Sequence, residues 1–420
     1  MENSPSKWYR HLVFKEYATS ARNMGLYRIA FVFFYLLLFG VPTVTWLSQV
    51  PEFLFYPQIF SVARFYALYI PSDFWLGLID FSIITAFTCL LFGVRTRFTS
   101  VALTVLLVLA FSLKFSTGKI GHAIFLAITP LFMAFSDWGE AFSVTGSTKT
   151  KDNKKMPREM NAAEDTKAQR KAKAERESRA TDRKSSNDTS LYNGFALFLL
   201  AFSFGFAMFT AGWLKILGGW LSPDQFGSFY HFGTRYFFRE ENTGLFTDIL
   251  ASNRNILIWK AMDYVTIAFE CLFLFAVLNK RIFQWFCAFG ILFHIATMLI
   301  FDIAYVNNLL VYLAFIPWNK VSAFLKSKKV LLPLERLLSI RNFWMVLAGL
   351  ILCHFLFLFV LDGHLVRDKL ISPFISTLSW LSSNMDFRDW RILFLLPLSA
   401  LVLIWPLFLQ HDDASKKLEQ

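Results

Sequence analysis

FWLGLIDFSIITAFTCLLFGVRTRFTSVALTVLLVLAFSLKFS, residues 74–116, is the stretch that decides the fold class. Two apolar runs lie on either side of Arg95 and Arg97. Each is close to the length of a helix that crosses a bilayer, which takes about 20 predominantly apolar residues. A pair of such runs joined by a short basic turn reads as two antiparallel membrane helices whose connection stays on the cytoplasmic side.

The same pattern extends outward in both directions. Apolar blocks recur at roughly 25–47, 73–94, 98–116, 119–137, 193–214, 256–279, 282–302, 303–318, 343–362 and 391–410. The spacing predicts an all-α integral membrane protein, a polytopic helical bundle of about ten transmembrane helices. Residues 48–72 and 216–255 mix aromatics with charge and are expected to be amphipathic outer segments. The chain divides into a cytoplasmic N-terminal segment at 1–24, a transmembrane domain at 25–318 interrupted by a basic linker at 149–190, and a two-span extension with a short tail at 319–420.

Composition agrees. Hydrophobic residues make up 55% of the 420 and charged residues 17%, with a mean hydropathy of +0.46. A soluble domain carries about 25% charged residues. The net charge of +12 does not indicate a nucleic-acid partner, because the basic residues cluster between the apolar blocks. The expected partner is the lipid bilayer. Cys89, Cys271, Cys287 and Cys353 all lie inside apolar blocks without CxxC or metal-type spacing, so neither a disulfide framework nor a metal site is expected. The polar N-terminal 25 residues do not resemble a short signal-peptide n-region, and the first span is expected to stay uncleaved.

Charge also predicts orientation. Arg95 and Arg97, the linker, Lys280 and Arg281, the stretch Lys320 to Arg341, and Lys416 with Lys417 all fall on one side if ten spans alternate. That side is the cytoplasm, with both termini inside, as expected for a bacterial inner membrane protein. The linker lacks large apolar residues and is expected to be disordered or loosely helical.

Ionisable residues inside spans are costly and mark function or interhelical glue. They are Arg28, Asp80, Lys114, His122, Lys215, Lys260, Asp263, Glu270, His294, Asp302 and His354. Lys215 and His122 are expected at the outer ends of their spans, at one level. Lys215 sits in AGWLKILGGW, whose small residues permit close packing. It either snorkels to the headgroups or, taken out of water, serves as a general base. On neighbouring spans, helical rise puts His294 about 21 Å from the Lys280 turn, between Glu270 at about 15 Å and Asp263 at about 26 Å. An intramembrane polar network of Asp263, Glu270 and His294 is therefore expected, as structural glue or as a proton path. No phosphate loop, nucleophile elbow or HExxH motif is present.

Four runs together carry a family resemblance. GKIGHAIFLAITPLFMAFSDWGEAFSV (118–144), FAMFTAGWLKILGGW (206–220), FGILFHIATMLIFDIAYVNNLLVYLAFIPW (289–318) and YRIAFVFFYLLLFGVP (27–42) resemble, in order and spacing, the membrane domain of vitamin K-dependent γ-carboxylases, also called the HTTM domain. The resemblance covers about residues 20–318 apart from the linker. It implies that Lys215 matches the base that deprotonates a reduced, vitamin K-like quinone, and that His122 matches a histidine of the same half-reaction. Leu214 stands where the carboxylase has a second lysine, and Gly121 where it has an asparagine. Two further spans follow in place of its β-rich domain. Two readings stay open. One is a quinol-dependent enzyme with its site at the outer face. The other is a non-catalytic factor for maturation, export or binding of a secreted peptide. A transporter is disfavoured, since neither an inverted repeat nor paired broken helices are visible.

Overall fold

The computed structural model describes residues 5–59, 61–118, 123–144, 189–234, 255–301 and 305–355. It is built almost wholly of helices. Five of them are long and apolar enough to cross a membrane: α2 (Ala21–Phe39), α4 (Asp73–Phe92), α5 (Thr96–Lys114, continued by a 3-10 turn to Thr117), α7 (Leu191–Leu217) and α10 (Lys280–Phe301).

The distribution of polarity on α5 explains why lipid is the solvent. Its outward residues are Phe98, which is 74% exposed, Val101 and Val105, whereas Thr96, Ser100 and Thr104 are buried. A helix in water reverses that arrangement. Small hydroxyl residues facing neighbouring helices and apolar ones facing out is the pattern of a membrane bundle.

The ten predicted blocks give five such helices among the described residues, for identifiable reasons. The block at 119–137 contributes α6 (Ile124–Met133), ten residues containing Pro130, which removes one helical N–H donor. The block at 256–279 forms α9 (Ile256–Ala276), 21 residues long, but Lys260, Asp263 and Glu270 interrupt its hydropathy. The described part of the block at 303–318 holds α11 (Val306–Leu313), ahead of Pro317. The block at 343–362 overlaps α14 (Ile340–Phe355), and 391–410 lies outside the described residues. So does most of the linker, except Thr189 and Ser190.

The chain splits into two compact units. The first comprises residues 1–199 and 317–350. It opens with α1 (Pro5–Arg10) and a π turn (His11–Lys15), so the described part of the 1–24 segment is folded rather than a free tail. Phe14 stacks on Phe195 at 5.5 Å, and Tyr17 is fully buried. Strand β1 (Thr19–Ser20) pairs antiparallel with β2 (Thr189–Ser190), which shortens the predicted linker by two residues. Asn193 reinforces the junction by accepting from the Asp137 N–H and donating to the Thr19 carbonyl. Ser20 caps α2 through the Asn23 N–H.

Arg28, wholly buried on α2, donates to the carbonyls of Trp138 at 2.6 Å, Ala141 at 3.4 Å and Phe142. A guanidinium has the donors to hold three carbonyls of one loop. Asp80 on α4 accepts from the N–H groups of Val44 and Thr45 and from the Thr45 hydroxyl, fixing the start of the segment after α2. That segment forms 3-10 turns at Thr45–Gln49 and Glu52–Leu54 and one helical turn, α3 (Ala63–Tyr66). Its Phe53, Tyr56, Phe65 and Tyr69 are exposed, as suits a membrane–water interface. Helices α12 (Trp318–Ser327) and α13 (Leu331–Leu337) belong to this unit, with Tyr27 and Trp318 ring to ring at 6.5 Å.

The second unit comprises residues 200–316 and 351–420. Within it lie the later part of α7, α8 (Gly227–Gly233), α9, α10 and α11. Its packing is aromatic. Phe269 and Phe273 of α9 meet Phe283, Phe286, Phe289 and Phe293 of α10 at 5.0–6.0 Å. Phe232, Trp259 and Phe301 form a separate core under α8.

Candidate functional site

The last turns of α7 carry Lys215 against the middle of α9. Its Nζ donates to both carboxylate oxygens of Glu270, at 2.8 and 2.6 Å. The lysine side chain is 25% exposed and the glutamate 9%. The face of Trp220 closes over the ammonium, 5.6 Å from ring centroid to Nζ, a cation–π contact. Gly212, one turn before Lys215, makes this possible. A Cβ there would stand 2.8 Å from the Cys271 Sγ and 3.0 Å from the Glu270 Cβ, so glycine allows a close approach of the two helices that any larger residue reaches only if its neighbours shift. Gly219 has a different role: its φ of +83° turns the chain out of α7.

Two further charges on α9 anchor the segment that follows α7. Lys260 Nζ donates to the carbonyls of Trp220 at 2.6 Å, Gln225 at 2.7 Å and Ser222. Asp263, fully buried, accepts from the N–H groups of Gly227 at 3.1 Å and Ser228 at 2.8 Å, which open α8. Its Oδ2 lies 3.7 Å from Lys260 Nζ. The carboxylate thus caps the free N–H groups of a short helix, and the ammonium gathers the carbonyls that precede it. In this part of the predicted outer segment at 216–255 one helix is described. Residues 235–254 lie outside the described residues.

His294 on α10 is buried and has other partners. Its Nε2 lies 3.0 Å from the Tyr312 hydroxyl and 3.1 Å from Asn308 Nδ2, both on α11.

The expected network of Asp263, Glu270 and His294 is therefore corrected. Each carboxylate bonds elsewhere, Glu270 to Lys215 and Asp263 to the start of α8, and His294 bonds to Tyr312 and Asn308. Equal depth along two helices fixes a level but not the side of the helix from which a group projects. Lys215, expected either to snorkel to the headgroups or to serve as a general base, meets Glu270. His122 and Asp302 lie outside the described residues. Arg28 bonds the carbonyls of Trp138, Ala141 and Phe142. Trp220, Asn308 and Tyr312 were not singled out as site residues. A signal for the last two was present, since residues four apart in NNLLVYL share one helical face. Among the described residues, no three His, Cys, Asp or Glu side chains come together as a metal site would require.

Comparison of the chain with models of protein families, with characterised proteins and with solved structures gives no match.

Proposed function

We propose that the protein is a membrane-embedded enzyme that takes a proton from a lipophilic quinol-type substrate, with Lys215 as proton acceptor and Glu270 as its partner. The observation that carries this reading is the contact between them: an amine joined to both oxygens of a carboxyl group, within apolar helices. Charges in such surroundings are costly to maintain and are functional by default. The pair is also chemically competent. Passing the shared proton from Nζ to the carboxylate leaves an amine lone pair beside a neutral acid. The amine then accepts the quinol proton. The substrate O–H bond breaks, an N–H bond forms, and the ammonium stands next to the quinolate anion.

The resemblance to the carboxylase-like HTTM domain supports this role for Lys215, and supports His122 as the group that stabilises the oxyanion. The charge bias between apolar blocks supports a site at the outer face of a bacterial inner membrane, with cytoplasmic termini. Leu214 and Gly121, which replace a lysine and an asparagine of the carboxylase, favour quinol chemistry without glutamate carboxylation.

Purification in mild detergent followed by solvent extraction tests the proposal. A quinone retained in stoichiometric amount by the wild type, and lost in Lys215→Met and Glu270→Gln at matched expression, is the expected result. A secreted peptide copurifying stoichiometrically with no quinone present would overturn it in favour of the non-catalytic factor.

A further inference from the structure

We infer that His294 Nδ1 is a binding site for a neutral apolar molecule that carries a carbonyl oxygen. The inference stands apart from the role proposed for Lys215. An amide nitrogen can only donate, so Asn308 Nδ2, 3.1 Å from His294 Nε2, makes that ring nitrogen an acceptor. The ring proton is then on Nδ1. The Tyr312 hydroxyl, 3.0 Å from the same Nε2, is able to donate to it as well. Gly290, one turn earlier on α10, admits that hydroxyl, because a Cβ at 290 would come within 2.6 Å of it. The Asn308 amide on the neighbouring helix thus determines which nitrogen carries the proton.

Among the described residues that proton has no acceptor: Nδ1 is buried and makes no hydrogen bond to them. Burying a donor without a partner is unfavourable, and fixing its tautomer is how proteins present an imidazole to a ligand. The surroundings select the ligand's chemistry. The rings of Tyr305, Phe293 and Tyr312 lie 5.1, 5.7 and 5.9 Å from the imidazole. Among the described residues no charged side chain contacts it, so an anion would lack a countercharge. A carbonyl oxygen on an apolar body meets both demands: it accepts one hydrogen bond and leaves the remainder to aromatic contact. Aromatic ketones and quinones have this chemistry, and so do the ester groups of lipids.

Equilibrium dialysis of the full-length protein in detergent, corrected for empty micelles, tests the inference. Benzophenone is compared with diphenylmethane, and methyl decanoate with undecane, so that each pair differs in the carbonyl. The wild type is expected to prefer at least one carbonyl compound over its hydrocarbon. Preference within the first pair assigns the site to aromatic carbonyls, and within the second to lipid esters. His294→Asn, whose amide nitrogen reaches the Nδ1 position, keeps the preference; His294→Gln, whose amide lies on the Nε2 side, loses roughly tenfold. A measurement on the wild type guards against misfolded variants: with isotope-labelled histidine, the Nδ1 resonance shifts on adding the preferred carbonyl compound and not its hydrocarbon. Equal retention within both pairs, or a ring proton found on Nε2, overturns the inference.

Discussion

Lys260 and Asp263, three residues apart on α9, hold opposite ends of the same segment: the ammonium bonds the carbonyls of Trp220, Ser222 and Gln225, and the carboxylate bonds the N–H groups of Gly227 and Ser228. The seven-residue helix α8 is too short to be stable by itself, so its position depends on these side chains.

Asp263→Asn turns an acceptor of two N–H groups into a side chain that is half donor. A loss of about 2 kcal/mol in unfolding stability is expected. Lys260→Met should also destabilise. Because both residues secure one segment, the double variant should lose less than the sum of the two. Unfolding by denaturing detergent, followed by tryptophan fluorescence, measures all three; strictly additive losses would show that the residues support separate elements.

Gly212 faces Cys271 closely enough for covalent trapping. A Cβ at 212 would lie 2.8 Å from the cysteine sulfur, and disulfides need Cβ atoms about 4 Å apart. Gly212→Cys, with Cys89, Cys287 and Cys353 replaced by alanine, should form an intramolecular disulfide with Cys271 on mild oxidation. Mass spectrometry of the joined peptides reads the outcome. Failure to cross-link in folded protein would mean that α7 and α9 do not meet at this level.

The charge bias predicts that the linker and the segment at 216–255 lie on opposite sides of the membrane. Single cysteines introduced at each, in a background free of native cysteine, should react differently with an impermeant thiol reagent in intact cells. The outer segment should label and the linker should not. Shortening the linker to a dozen flexible residues between Thr145 and Thr189 should leave insertion intact, since halving a loop changes closure free energy by only about 0.6 kcal/mol.

Much of this architecture was legible in residues 74–116. Long apolar runs broken by Arg95 and Arg97 identify a helical membrane protein whatever the packing. The extent of the individual helices was not legible, because a hydropathy block sums apolar residues across helix breaks. Pro130 lies within one block and Pro317 near the end of another. Charged residues told a similar story. Position along a helix gave Glu270, Asp263 and His294 overlapping depths, but their partners depend on azimuth and on segments whose path the sequence does not fix. Glu270 found Lys215 because Gly212 brings two helices together. Asp263 found α8 because the chain turns back after Gly219. Small residues near Lys215 indicated close packing, but not against which helix.

The contact between Lys215 and Glu270 makes the sharpest test of the site, because structural and catalytic roles respond differently to the same set of changes. If the pair only joins helices, exchanging the charges in Lys215→Glu/Glu270→Lys should restore most of the stability lost in either single variant, and function with it. Each single change leaves two like charges facing each other and should cost up to about 3 kcal/mol, less than for a fully buried pair because Lys215 is a quarter exposed. If Lys215 accepts a proton from substrate, the exchanged pair should regain stability but not quinol turnover, since the amine is then on α9 and the carboxyl on α7. Lys215→Arg adds a second discrimination. A guanidinium keeps the ion pair and can bind Glu270 through two parallel bonds, but it does not give up its proton. Stability close to wild type with loss of turnover or quinone retention is expected, at matched membrane expression. Full function in Lys215→Arg would reduce the lysine to a fixed positive charge. Full function in Lys215→Ala would remove it from the chemistry altogether.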